Sequence, residues 1–207
     1  MKVIPAILEN EATELYRKIE ILKKNFYRIH IDIIDESYGQ NNLRLLEERG
    51  GCGVGFLEVH LMTEKPVEIV EKMGQLGARL VFGQWEKVVD KIGFSKEYGK
   101  REIETGLAID LETEIENEQI SKINIKHYIL MAVKAGKAGQ KFDKRVLSKI
   151  KRLRNILGNN AEILVDGGIN FDTAIKCGEA GADGVLVNSF LWQNYAKNLI
   201  KLKELEA

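Results

Sequence analysis

Eight short runs rich in aliphatic and β-branched residues recur along the chain as candidate strands, and a segment that reads as a candidate helix follows each of them. The first is Val3–Leu8. Then come FYRIHIDII from Phe26, VGFLEVHLM from Val54, ARLVFG from Ala78, TGLAID from Thr105, IKHYILMAV from Ile125, AEILVD from Ala161 and DGVLVN from Asp183. Between them, Leu15, Ile19 and Leu22 repeat at helical spacing behind Asn10, a candidate N-cap, and segments 66–76, 142–157 and 190–205 read as charged helices. Strict strand–helix alternation implies a parallel sheet with right-handed crossovers. Strands that are nearly continuous in apolar residues imply that both faces are covered. Eight such units in 207 residues fit a closed (β/α)8 barrel better than an open doubly wound sheet. The fold expected is therefore α/β, a single barrel domain over residues 1–207. Gly50-Gly51-Cys52-Gly53 reads as a flexible approach to the third strand, not as a domain boundary.

The charge balance narrows the partners. Lys and Arg number 31 and so do Asp and Glu, a formal net charge of +0. Bulk binding to nucleic acid or to an acidic membrane surface needs a basic excess, so neither is expected, although a local cluster can still hold one phosphate. Cys52 and Cys177 are too few for a disulfide framework, which points to a reducing, cytoplasmic setting. The opening residues do not pattern as a signal peptide, and no run reaches membrane length.

In a barrel of this kind the chemistry lies at the carboxyl ends of the strands. The chain has three histidines, His30, His60 and His127. In His30-Ile31-Asp32 the period of two puts both polar side chains on one face, and the same rule pairs Glu58 with His60. Asp166, before Gly167-Gly168, ends the seventh strand. A strand histidine standing alone is more often structural than a ligand, and Asp166 alone could simply shape a turn. The coincidence of His30, Asp32, His60 and Asp166 at strand ends is what points to a divalent metal, and such donors admit zinc, iron(II), manganese or cobalt. His127 starts the sixth strand, away from the expected site, and reads as structural.

A second constellation suits a phosphate. Gly136-Lys137-Ala138-Gly139-Gln140 follows the sixth strand, Gly167-Gly168 the seventh, and Asn188-Ser189 the eighth, where it opens a helix. Backbone N–H groups freed by glycine beside a helix N-terminus form an anion cradle, although ordinary βα turns share these residues.

Taken in order, Ile4-Pro5-Ala6-Ile7-Leu8, His30-Ile31-Asp32-Ile33-Ile34-Asp35, Glu58-Val59-His60-Leu61-Met62, Met131-Ala132-Val133 with Gly136 to Phe142, Val165-Asp166-Gly167-Gly168 and Gly181-Ala182-Asp183 resemble the ribulose-phosphate 3-epimerase family. The likeness runs from the first strand to the eighth. It implies a TIM barrel of the ribulose-phosphate-binding type. The implied reaction inverts carbon 3 of a phosphorylated ketose, interconverting ribulose 5-phosphate and xylulose 5-phosphate. The implied metal ligands are His30, Asp32, His60 and Asp166, with Asp32 and Asp166 as the acid/base pair. The resemblance puts Met62 and Met131 near the substrate, where core filling is an equally good account of them. It puts Gly136, Gly139, Gly167, Gly168 and Ser189 on phosphate-binding loops, with Asn188 beside them, and it allows a homo-oligomer, dimeric or hexameric.

The chain also departs from the family pattern. Ala6 stands where a serine is usual, and Asp35-Glu36 replaces Asp-Gly. Residues 134–140 replace an Asn-Pro-Gly-Phe-Gly-Gly-Gln loop, and Asn188-Ser189 replaces Gly-Ser. Gly83-Gln84-Trp85 stands where a histidine is usual after the fourth strand. The metal and acid/base positions match while the substrate shell differs. A 3-epimerase for another ketose phosphate, such as a hexulose 6-phosphate, and a non-catalytic sugar-phosphate-binding homologue therefore stand as alternatives. Lys134 and Lys137 read either as extra charge for a phosphate or as a solvated loop. Decarboxylases and synthases on related barrels carry Asp-x-Lys-x-x-Asp and a central lysine, which this chain lacks.

Overall fold

A computed structural model of the chain describes residues 1–39, 41–98 and 103–206. All eight expected runs form strands, paired in parallel and in chain order into a closed barrel. They are β1 (Lys2–Ile7), β2 (Arg28–Ile34), β3 (Phe56–Met62), β4 (Ala78–Gln84), β5 (Glu104–Ile109), β6 (His127–Met131), β7 (Glu162–Asp166) and β8 (Gly184–Val187). The helices outside are α1 (Ala12–Leu22), α2 (Val70–Gln75), α3 (Lys91–Tyr98), α4 (Asn117–Ser121), α5 (Val146–Leu157), α6 (Phe171–Glu179), α7 (Ser189–Gln193) and α8 (Tyr195–Lys203). Among the described residues no helix is long and apolar enough to cross a membrane.

Alternation along each strand divides the apolar residues into two layers. Ile4, Leu80, Phe82, Ile129, Leu164 and Leu186 fill the barrel itself. Ile29, Ile31 and Ile33 of β2 and Leu57, Val59 and Leu61 of β3 face outward and join Leu15, Ile19 and Leu22 of α1 and Val146, Ile150 and Leu153 of α5 in the outer layer. Burying each such side chain is worth roughly 1.5–3 kcal/mol. The β2–β3 pairing runs unbroken from Arg28 opposite Phe56 to Ile34 opposite Met62, which places His30 beside Glu58 and Asp32 beside His60.

The connections differ from the expected helices in five places. α1 is capped at Glu11, in extended conformation and without a side-chain cap bond, one residue later than Asn10. After β2 no α-helix forms among the described residues; only 3-10 turns at Glu36–Tyr38 and Glu47–Arg49 occur. Buried Asn42 organises this segment instead. Its Oδ1 accepts the Ile34 N–H at 2.8 Å, and its amide donates to the carbonyls of Glu9 at 2.9 Å and Asp32 at 3.0 Å. Segment 66–76 starts as a 3-10 turn at Pro66–Ile69, and residues 142–145 stay in the loop because the Asp143 N–H donates to the Ala132 carbonyl at 3.0 Å. Segment 190–205 breaks at Asn194, whose side chain caps α8 by accepting from the Lys197 N–H at 3.3 Å.

Asp183 closes the barrel seam. Its Oδ2 accepts from the Ile163 N–H at 2.7 Å and from Arg154, while its backbone carbonyl accepts from Lys2 at 2.9 Å. Asp183→Ala strands the Ile163 N–H and removes the carboxylate partner of Arg154, which keeps its bonds to the Gly158, Ala161 and Gly181 carbonyls. We expect urea denaturation to report a loss of about 1–3 kcal/mol.

Candidate active site

The polar residues that the sequence singles out converge at the carboxyl end of the barrel. His30, Asp32 and His60 bring one potential ligand atom each within 4.8 Å of one another, and all three are buried. His30 Nε2 and His60 Nδ1 both lie 3.3 Å from Asp32 Oδ1. Their outer nitrogens are held from behind. His30 Nδ1–H donates to Glu58 Oε1 at 2.8 Å, and His60 Nε2 meets Gln84 Oε1 at 2.8 Å. Gln84 donates its Nε2 to Glu86 at 2.7 Å, so its oxygen is the end that faces His60. His60 therefore carries its proton on Nε2. Its Nδ1 lone pair is buried, faces a carboxylate and has no hydrogen-bond partner.

Asp32 Oδ1 and the His60 Nδ1 lone pair face one point, and His30 Nε2 adds a third donor atom for a metal once it gives up its proton. Burial opposes charge on His30, but the bonds to Asp32 and Glu58 outweigh it and raise the imidazole to about 10. Burial likewise works against the Asp32 carboxylate, and the hydrogen bond and charge of His30 overcome it and hold the acid well below its usual range. Outer-nitrogen hydrogen bonds with inward lone pairs are how proteins orient histidines toward a metal, so the residues present fit a divalent cation.

Asp166 ends β7 and stands outside the three-residue cluster. β2 and β7 are separated by β1 and β8 around the ring, so Asp32 and Asp166 enter from different walls. Both line one cavity of about 590 Å³. Burial, and then the Asp32 charge, push the Asp166 carboxyl up to about 7, against the pull of the two imidazoles. Met62, Met131, Gly136, Gly139, Gly167, Gly168, Asn188 and Ser189 line the same cavity. His127 lies away from it, bonded to Glu104 at 2.7 Å and Glu162 at 3.1 Å.

Gly168 has φ +64, and a Cβ there would lie 2.3 Å from the Phe142 nitrogen, so the turns after β6 and β7 touch only because this residue lacks a side chain. Gln140 closes the turn after β6 by donating to the carbonyls of Lys134 at 2.6 Å and Lys137 at 2.9 Å. Sequence reasoning left unassigned the supporting shell: Glu58 as partner of His30, Gln84 as partner of His60, and Asn42 beneath Asp32. Only inward parity with the histidines could have suggested the first two.

The Ribulose-phosphate 3 epimerase family model matches residues 2–192. The chain belongs to this family. It is an isomerase of the epimerase class. A ribulose-phosphate 3-epimerase of Chlamydia trachomatis is 32% identical over 85% of this chain and 78% of its own length. Those of Encephalitozoon cuniculi and Bacillus subtilis are each 28% identical, over 89% and 93% of this chain and 84% and 92% of theirs. Among solved structures, a 3-hexulose-6-phosphate synthase superposes with TM-score 0.68 at 14% identity, covering 99% of each chain. A phosphoribosyl anthranilate isomerase from Thermus thermophilus superposes at 0.66 and 13%, covering 99% of this chain and 100% of its own. These structural likenesses establish the barrel alone.

A metal entering this centre must displace the His30 proton, which stays on up to about 10. Zinc affinity should therefore rise with pH by about tenfold per unit from about pH 7 to about pH 9. Calorimetry in buffers of different ionisation enthalpy reads the protons released; a flat profile contradicts this account.

Proposed function

We propose that this enzyme interconverts ribulose 5-phosphate and xylulose 5-phosphate by inverting carbon 3, with one divalent metal held by His30, Asp32, His60 and Asp166. The observation that carries the reading is the pair Asp32 and Asp166: two carboxylates on different walls of one cavity, one held ionised and the other raised to about 7. Environments that drive two acids apart in this way divide the roles of base and acid between them.

A carbon acid beside a ketone is too weak for a carboxylate acting alone. Bound here, a divalent cation supplies Lewis-acid polarisation of the ketose oxygens. Asp32 takes the carbon-3 proton from one face while Asp166 delivers one to the other, and in the reverse direction the two exchange tasks. Met62 and Met131 border the cavity with apolar, adaptable surface that limits water around the intermediate enediolate. The turns at Gly136, Gly139, Gly167 and Gly168, with Ser189 and Asn188, receive the phosphate. The altered residues 134–140 favour a second reading on the same chemistry, a longer ketose phosphate such as a hexulose 6-phosphate. A coupled assay on both substrates, with zinc, iron(II), manganese or cobalt added back, separates the two. No turnover with any of them returns the chain to a sugar-phosphate-binding homologue.

Gly168→Val pushes Phe142 and the turn around it out of place. It should raise KM for the phosphorylated ketose by about tenfold or more, with a smaller change in kcat. Equal losses in kcat and kcat/KM would move the phosphate elsewhere.

Asp166→Asn keeps shape and an oxygen ligand but cannot transfer the proton. Net epimerisation should fall at least ~10²-fold. Asp32 still removes and returns the proton of one epimer, so that epimer alone takes up solvent deuterium at carbon 3 without inversion, and Asp32→Asn gives the opposite preference. Metal content is matched first in each variant. Wild-type turnover by metal-loaded Asp166→Asn refutes the two-carboxylate mechanism.

A further inference from the structure

The floor of the barrel holds a second cluster of charge that the proposed chemistry does not use. Lys2, Arg28, Glu104, His127 and Glu162 meet there, and Glu162 is their hub, accepting from Lys2 at 2.6 Å and from His127 at 3.1 Å. Among the described residues, Arg28 alone links this hub to Glu58. Its Nη1 and Nη2 each donate to Glu162 at 2.9 Å, and its Nε donates to Glu58 Oε2 at 2.6 Å. The other Glu58 oxygen accepts the Nδ1–H of His30. Glu58 is fully buried, as is His30, so Arg28 supplies the compensating charge that this carboxylate requires.

We infer that Arg28 and Glu58 are positioning residues for the metal centre: Arg28 ties Glu58 to the barrel floor, and Glu58 sets the His30 ring with Nε2 toward Asp32 and His60. This rests on the reading of that centre as a metal site. A buried ring held only at its inner nitrogen can turn over about its χ2 axis; a fixed acceptor on the outer nitrogen removes that freedom and strengthens the ring as a donor. The two rings are supported unequally. His60 leans on the neutral amide of Gln84, whereas His30 leans on an anion. The anion needs a cation that can serve Glu58 and Glu162 together. A guanidinium fork does this and an ammonium point charge does not.

The chain has three histidines, so 15N-histidine spectra of the zinc-loaded protein resolve each ring. Glu58→Gln keeps the size and an acceptor oxygen but removes the charge. Zinc affinity, measured by competition with a chelator, should fall about 10- to 100-fold. The His30 Nδ1–H resonance should move upfield, with His127 unchanged. Arg28→Lys keeps the charge, loses the fork and should shift the same resonance in the same direction; it carries the test if Glu58→Gln does not fold. Glu104→Gln disturbs the floor without touching Glu58 and should leave zinc affinity alone. Zinc bound by the wild type but held within about twofold by both variants, with the His30 resonance unmoved, overturns the relay and leaves the metal reading intact. No zinc uptake by the wild type overturns both.

Discussion

Two carboxylates and two imidazoles buried side by side on β2 and β3 create a charge problem that the rest of the structure answers. Glu58, His30 and His60 have no exposure to water, and Asp32 is 5% exposed. On the floor side the answer is internal: Arg28 neutralises Glu58 and is itself tied to Glu162. On the mouth side, among the described residues, no lysine or arginine pairs with Asp32 or Asp166. The His30 proton is the partial substitute, with both of its nitrogens engaged by carboxylates. Anion is thus compensated where the fold closes and left open where the cavity begins. That asymmetry is what a cation-dependent centre requires.

The barrel supplies this arrangement through parity. Arg28, His30, Asp32 and Ile34 point inward from β2, and Glu58, His60 and Met62 from β3, because every second residue must. A register slip of one would send the whole column outward and bring Ile29, Ile31 and Ile33 inside. Barrels of 13–14% identity share the same outline. Outline alone therefore says nothing of activity, and the column on β2 and β3 with Asp166 on β7 is the chemical statement this chain makes.

Much of this was legible in the amino-acid sequence. Eight apolar runs between charged segments announce a barrel because covered parallel strands can be written in few other ways, and His-x-Asp on a strand puts two donors on one face by geometry. The connection from β2 to β3 was not legible. It holds no apolar periodicity, and Asn42, an ordinary turn residue by type, becomes its organiser only through contacts eight to 33 residues away. Glu58 was assigned to the same face as His60, correctly, yet its partner is His30 on the neighbouring strand. Pairing across strands depends on register, which a single strand does not encode. Gln84 was visible only as a missing histidine. Its function as acceptor emerges once Glu86 is seen to orient its amide.

The loop after β6 completes the electrostatic picture. Lys134, Lys137 and Lys141 line the cavity on the side of the glycine turns, as does Lys201, whose ammonium lies over the Phe171 ring at 4.6 Å. Among the described residues the three loop lysines make no ion pair, whereas Arg145 just beyond them is bound to Glu112 and Asp143. The cavity therefore carries opposite charge on its two sides, with carboxylates at β2 and β7 and ammonium groups at the glycine turns. A ligand with an anionic terminus and an oxygen-rich, uncharged opposite end can lie in it in one sense only, since reversal would press the anion against Asp32 and Asp166. A phosphorylated ketose has that polarity, and lying in that sense it brings its carbonyl end, not its phosphate, to the two aspartates. On the proposed reading, the charge of this loop favours the same orientation as the glycine turns, by a longer-ranged force that acts before contact is made.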